Sequence, residues 1–163
     1  MAISPVIINL WFDTQAEEAA RFYTSIFPNS RLGRIVHYPE AATEISGKPA
    51  GSVLTVDFEL NGHRFVALNG GPEFKFNESV SLMIECDTQE EIDDLWAKLT
   101  DGGEESACGW LKDRFGISWQ VTPRRLNELM ADPDPKKVNA VAQAFLPMRK
   151  LDIATIERAY AEA

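Results

Sequence analysis

Asp13-Thr14-Gln15-Ala16-Glu17 returns later in the chain as Asp87-Thr88-Gln89-Glu90-Glu91, at an offset of 74 residues (13 to 87). Each copy follows a largely apolar run, residues 6–12 in the first case and 79–86 in the second. Each sets a threonine three residues before a glutamate, the spacing of a helix capping box. A strand leading into a capped helix is therefore predicted twice. At the same offset Val6 falls on Val80, Ile8 on Leu82 and Phe22 on Trp96. Chance similarity of two capped helices is the competing reading. Recurrence of strand, cap and helix in the same order favours internal duplication.

The chain between and after the repeats fills out two similar halves. Helical spacing of Ala19, Phe22, Tyr23 and Ile26 ends at Phe27-Pro28-Asn29. Residues 31–38 read as a strand, and 40–51 as a loop carrying Gly47, Pro49 and Gly51. Residues 52–60 and 63–68 alternate as strands around Asn61-Gly62, the strongest hairpin signal in the chain. Asn69-Gly70-Gly71-Pro72 breaks the pattern, and a loop with Phe74 and Phe76 follows. In the second half, residues 104–108, 109–111 and 117–121 read as strands. Lys112-Asp113-Arg114 with Gly116 reads as a solvated turn, and a salt bridge between subunits is its sharper alternative. Ile117, Trp119 and Val121 alternate with Ser118, Gln120 and Thr122, so the polar set shares one strand face.

Each half thus reads β-α-β-β-β. One such unit has too little core to stand alone, so two are expected to close on each other. The fold class is α+β: two βαβββ modules followed by helices near 125–131, 136–145 and 153–161, with Asp152 capping the last. Module one is placed at about 5–72, module two at about 78–123 and the helical extension at about 124–163, all in one domain.

Composition narrows the function. The 163 residues carry a formal net charge of −9 with no basic cluster, which disfavours nucleic acid as a partner. No apolar run is long enough to span a bilayer, so no membrane role is expected. Met1-Ala2-Ile3-Ser4-Pro5 lacks the basic region of a signal peptide, which favours a cytoplasmic location. Cys86 and Cys108 cannot make a disulfide framework. No Ser-His-Asp set, phosphate loop or catalytic carboxylate pair is legible. His37 and His63 read as ordinary strand and turn residues, and Cys86 and Cys108 as inert thiols.

The candidate ligand-binding residues are Asn69, Gln120, Trp11, Trp110, Phe74 and Phe76. The two amides could hydrogen-bond a ligand carbonyl or hydroxyl, or satisfy backbone groups at strand ends. The aromatic residues, with Trp119, could line an apolar pocket, or form ordinary core.

The chain resembles the vicinal oxygen chelate (glyoxalase/bleomycin resistance/dioxygenase) superfamily of paired βαβββ units. Within it the resemblance is to the PhnB-like branch labelled 3-demethylubiquinone-9 3-methyltransferase. It is carried by Leu10-Trp11-Phe12-Asp13, Ala16-Glu17-Glu18-Ala19 with Phe22-Tyr23, and Phe27-Pro28. Further carriers are Asn69-Gly70-Gly71-Pro72, Cys108-Gly109-Trp110-Leu111-Lys112-Asp113, Gly116 with Ser118-Trp119-Gln120, and Met148 with Lys150-Leu151-Asp152-Ile153. The resemblance implies a curved sheet around a cavity. In metal-using members ligands sit on the first and last strands of each module, slots that fall near Ile8, Asn69, Leu82 and Gln120. Two of these are apolar and neither of the others is a carboxylate, so no metal is expected.

The expected function is binding of a small apolar or aromatic molecule without metal or cofactor, as in antibiotic-resistance relatives. The alternatives are a superfamily lyase or dioxygenase, or a methyltransferase using S-adenosylmethionine if the label is literal. Whether the protein is an enzyme stays open at this point. A homodimer is expected from the superfamily and from exposed sheet edges.

Overall fold

The computed structural model describes residues 5–163. The chain divides into two compact units, with the boundary between Lys75 and Phe76. The first holds β1 (Ile8–Phe12), α1 (Ala16–Ile26), β2 (Arg31–His37), the one-turn helix α2 (Thr43–Ser46), β3 (Val53–Leu60) and β4 (His63–Asn69). The second holds β5 (Ser81–Cys86), α3 (Gln89–Thr100), β6 (Glu104–Glu105), β7 (Trp110–Lys112) and β8 (Ser118–Pro123). It continues through α4 (Arg124–Met130), α5 (Pro135–Phe145) and α6 (Ile153–Ala161).

Both units contain a four-stranded mixed sheet, ordered β1-β4-β3-β2 and β5-β8-β7-β6. In each, the first strand runs parallel to the last and the other pairings are antiparallel. The α+β architecture of two βαβββ modules with C-terminal helices is therefore what the chain forms. The pairing of first strand on last strand also corresponds between the two sheets. Phe12 lies beside Asn69 in one sheet, and Cys86 beside Pro123 in the other.

Alternation decides which face each sheet buries. In the first unit Leu10, Phe12, Val56, Phe58, Phe65 and Ala67 are buried against α1. The helix answers with Ala16, Ala19, Ala20 and Tyr23. Alanines let it lie close, and Tyr23 stacks on Phe58 at 6.2 Å, which in turn stacks on Phe65 at 5.1 Å. Each large apolar side chain so buried contributes roughly 1.5–3 kcal/mol before entropy is counted. In the second unit Ile92, Trp96 and Leu99 of α3 take this place, over Leu111, Trp119 and Val121. Leu126, Leu129, Val141, Leu151 and Ile156 form a separate core among α4–α6. Asp134 and Asp152 cap α5 and α6, accepting from Lys136 N at 2.9 Å and Thr155 N at 2.7 Å.

The sequence expectations need four corrections. The capping box forms at Thr88–Glu91 but not at Thr14–Glu17, where α1 begins with no side-chain cap of its own at Gln15. The aromatic residue that α1 buries fully is Tyr23, and Phe22 is half-buried. The segment 40–51 is not all loop, since it winds into α2 and closes at Gly47 with φ 67°. The strand expected over 104–108 stops at Glu105, because Cys108 and Gly109 take φ values of 58° and 80° that no strand accommodates. At the Asn61-Gly62 hairpin both residues have positive φ, 45° and 86°, as its tight turn requires. Among the described residues no helix is long and apolar enough to cross a membrane.

Candidate functional site

The first place to look is the end of β1 and β4, where Trp11, Asn69 and Gly70-Gly71 meet. Asn69 is buried, and its amide faces backbone. Its Oδ1 accepts from Ala16 N, the start of α1, at 2.8 Å. Its Nδ2 donates to Val53 O at 3.1 Å, and its own carbonyl accepts from the Tyr38 hydroxyl at 2.7 Å. The expectation that Asn69 presents its amide to a ligand therefore gives way to a structural role. It caps α1 from across the module, which explains why Thr14 need not.

Trp11 lies on the adjacent strand and folds over Gly70. A Cβ at Gly70 would sit 2.1 Å from the indole, so only glycine admits the ring. Trp11 Nε1 donates to Gly71 O at 2.9 Å, and Phe74 meets the ring edge-on at 5.0 Å. Phe74 itself is 65% exposed. The Gly70-Gly71 turn is thus filled by the protein's own tryptophan, and no helix follows it. That does not fit the glycine-rich cradle of a nucleoside cofactor such as S-adenosylmethionine.

The second place is the turn between β7 and β8. Asp113, expected in a solvated turn, is 3% exposed. Its Oδ1 accepts from Phe115 N at 2.8 Å and Ile117 N at 3.1 Å, and its Oδ2 accepts from Trp119 Nε1 at 2.7 Å. One carboxylate thereby shapes the turn and fixes the core tryptophan, so Trp119 is core and not pocket lining. Its neighbours Lys112 and Arg114 do lie toward solvent, paired with Glu78 and Asp101. Cys108 N and Gly109 N donate to Met148 O at 2.7 Å and Arg149 O at 2.8 Å, which docks the chain after α5 onto the sheet. Leu151 then packs where a Cβ on Gly109 would lie, at 3.0 Å. The Cys108 thiol contacts Leu146 O at 3.2 Å. Burial pushes the Cys86 thiol up to about 11, with Glu91 and Asp87 adding to the rise, so it carries no thiolate near neutral pH.

What remains is the face of each sheet turned away from its helix. Ile8 and Leu82 have the same strand parity as the buried Phe12 and Cys86, so they do not belong to that face. The residues that do, one position along, are Asn9 beside Val66 and Met83 beside Gln120. Asn69 is therefore not the counterpart of Gln120; Val66 is. Two amides, a thioether and a branched alkyl group do not fit a divalent transition metal. Among the described residues no group of three or more His, Cys, Asp or Glu side chains is arranged to hold a metal ion. His37 and His63 stand exposed at strand ends.

On the second sheet the open face carries a row of Trp110, Gln120 and Met83. Gln120 Nε2 donates to Ser81 Oγ at 2.9 Å. Beside that row lies a pocket of about 130 Å³, lined by Glu78, Glu104, Glu105, Ser106, Trp110, Leu111, Lys112 and Ser118. Lys112 Nζ pairs with Glu78, whose hydrogen bond raises the lysine pKa and lowers the glutamate's. Phe76, also expected near a ligand, is half-buried at the start of the second unit. The pocket residues other than Trp110 went unread in the sequence as a site. Strand alternation did place Ser118 on the face of Gln120, and that was the available signal.

Comparison with known proteins accords with this architecture. Residues 4–122 match the family described as 3-demethylubiquinone-9 3-methyltransferase. A PhnB protein from Bacillus cereus that carries the same description is 33% identical, with a TM-score of 0.65 over 74% of this chain and 99% of its own. Protein PA1353 from Pseudomonas aeruginosa shares the fold at 18% identity and a TM-score of 0.59, over 74% of this chain and 98% of its own. So does the fosfomycin resistance protein FosX from Listeria monocytogenes, at 15% identity and a TM-score of 0.51, over 78% and 98%. No curated protein matches the chain. Extent of match and identity together show that the chain belongs to the PhnB-like 3-demethylubiquinone-9 3-methyltransferase family.

Proposed function

We propose that the protein binds a small, partly apolar molecule against the open face of its second sheet, and does so without a transition metal or S-adenosylmethionine. The observation that carries this reading is the row Trp110–Gln120–Met83 on the second sheet. It is an aromatic ring, an amide and a thioether side by side, with Met83 57% exposed. A mostly apolar surface with one orienting polar group has the composition of a small-molecule site. Thioethers adapt to varied ligand shapes. Gln120 gives an N–H to Ser81, and its carbonyl oxygen makes no hydrogen bond among the described residues. That oxygen can accept from a ligand. Trp11 and Leu68, paired in register on the open face of the first sheet, supply similar apolar surface there, with Phe74 at the edge of the indole.

On this proposal the methyltransferase name of the family is a label and not this protein's chemistry. It is the filled Gly70-Gly71 turn that supports this. We further infer a cytoplasmic homodimer. Exposed Val80, at 72%, is apolar surface that a second copy would cover. Light scattering that returns a monomer mass at micromolar concentration would count against the dimer.

Native mass spectrometry of protein purified without chelator tests the main reading. A retained organic molecule of a few hundred daltons, with no stoichiometric metal by elemental analysis, is expected. One tightly held zinc, iron or manganese per chain, or retained S-adenosylmethionine, would overturn it.

A further inference from the structure

The pocket beside Trp110 contains a polar group without a partner. Ser118 is 1% exposed, and its hydroxyl makes no hydrogen bond. A buried hydroxyl in that condition is destabilising, and native folds seldom leave one so without water or a ligand to serve it. Ser118 lines the pocket and lies beside Lys112 in the sheet register, on the open face.

The charges around it are unequal. Three glutamates, Glu78, Glu104 and Glu105, face one lysine. Lys112 is held by Glu78. Glu105 accepts from Trp96 Nε1 at 2.8 Å and pairs with Arg149 at 3.6 Å. The Glu104 carboxylate makes no hydrogen bond or ion pair among the described residues; its interaction with Lys112 is through space. The pocket therefore has acceptors in excess: a carboxylate, the Ser118 hydroxyl and the Ser106 hydroxyl. Trp110 lines the pocket too, and an indole attracts cations over its face. The pocket volume, about 130 Å³, holds a few water-sized groups and no more.

We propose that this pocket is a subsite for a protonated primary amine, the cationic head of the small molecule whose apolar part lies along Trp110, Gln120 and Met83. An ammonium group brings three N–H donors and a positive charge to a place with spare acceptors and excess negative charge. Glu104 supplies the counter-charge, Ser118 a buried acceptor and Trp110 an aromatic lining. The inference rests on the proposed ligand-binding role of this face and adds the chemical class of the ligand.

The test is titration of the whole protein with n-propylammonium chloride at constant ionic strength, followed by amide and indole N–H chemical shifts. Saturable shifts at Ser118, Lys112 and the Trp110 indole are expected in the millimolar range. Neither propan-1-ol nor propionate should reproduce them. Glu104→Gln, a surface change that keeps the fold, should weaken binding about tenfold, the loss of one charge-assisted hydrogen bond. Ser118→Ala should fold at least as well as the parent and still bind more weakly, a combination that a purely structural serine would not give.

No saturation, equal response to propan-1-ol or propionate, or undiminished binding by Glu104→Gln would each overturn the proposal. In those cases water serves the serine hydroxyl. A retained organic ligand in native mass spectra with no ammonium response would overturn this inference alone and leave the broader reading standing.

Discussion

The two modules begin their helices from nearly the same five residues and hold them differently. In the second, Thr88 accepts from Glu91 N at 3.2 Å, while Glu91 Oε2 accepts from Asp87 N at 2.8 Å and Thr88 N at 3.2 Å. The cap is local. In the first, Thr14 is exposed and the acceptor comes from Asn69, 53 residues from Ala16 in sequence. The difference traces to the last strand of each module. The counterpart of Asn69 is Pro123, which has no side-chain acceptor and leads straight into α4. A duplicated motif can thus keep its shape while the group that secures it moves from a neighbouring residue to a distant one. Asn69 looks like a ligand-binding amide until its partners are known. Gln120, the other candidate, keeps its carbonyl oxygen available.

The largest effect is expected where one group holds most. Asp113→Ala in module two strips the acceptor from two backbone N–H groups and a buried indole. It should cost about 3 kcal/mol or more in urea unfolding, each stranded donor contributing about 1–3. A cost below that of an ordinary surface substitution would show the turn to be held otherwise. In module one, Gly70→Ala drives a methyl group into the Trp11 ring and should cost about 1–3 kcal/mol by overpacking. The near-ultraviolet circular dichroism of the tryptophan should change with it.

A sharper form of the comparison uses the two threonines. Thr88→Ala should destabilise by about 1 kcal/mol, as loss of a capping side chain does. Thr14→Ala should stay within about 0.5 kcal/mol. Equal losses would mean that both modules use local caps.

The smallest effect concerns acid. The Thr155 hydroxyl and backbone N–H hold the Asp152 carboxyl below its ordinary value of 3.8, and the Tyr160 hydroxyl and Asp134 N–H do the same for Asp132. Carboxyls lowered in the folded state stabilise it fully above their unfolded pKa and lose that contribution as pH falls through the folded value. The C-terminal helices should therefore be indifferent to pH from neutral down to about 4 and weaken below it. Helical circular dichroism and the Thr155 amide shift would follow this. Weakening that begins near pH 6 would contradict the assignment.

Much of the fold was legible because it rests on period and punctuation. Alternation in β3, β4 and β8, the Asn61-Gly62 turn and the repeated Asp-Thr-Gln string each act over a few neighbouring residues. What escaped depends on distance. Whether Thr14 or Asn69 caps α1 is decided by which acceptor reaches Ala16, and that follows from the register of β1 on β4. Asp113 looked solvated because two charged neighbours flank it; its burial follows from Trp119, which lies across the turn. The slots near Ile8 and Leu82 could be read only to within a residue, and the open-face positions are Asn9 and Met83, since an apolar run has no alternation to reveal parity. Gln120 was readable as sharing a face with Ser118 and Thr122. Ser118 and Glu104 were not readable as a site, because an unpartnered hydroxyl and an unpaired carboxylate show only when neighbours are placed.

The central claim is that Asn69 holds the fold while Gln120 stands on a face left for a ligand. Urea unfolding of Asn69→Ala and Gln120→Leu, measured together against the parent, tests it most directly. Asn69→Ala breaks a buried helix cap and a second, part-buried hydrogen bond and should lower stability by about 2–3 kcal/mol. Gln120→Leu should change it by no more than about 1 kcal/mol, since the half-buried amide loses one hydrogen bond to Ser81 and gains apolar contact. Equal losses, or a greater loss at Gln120, would contradict the account.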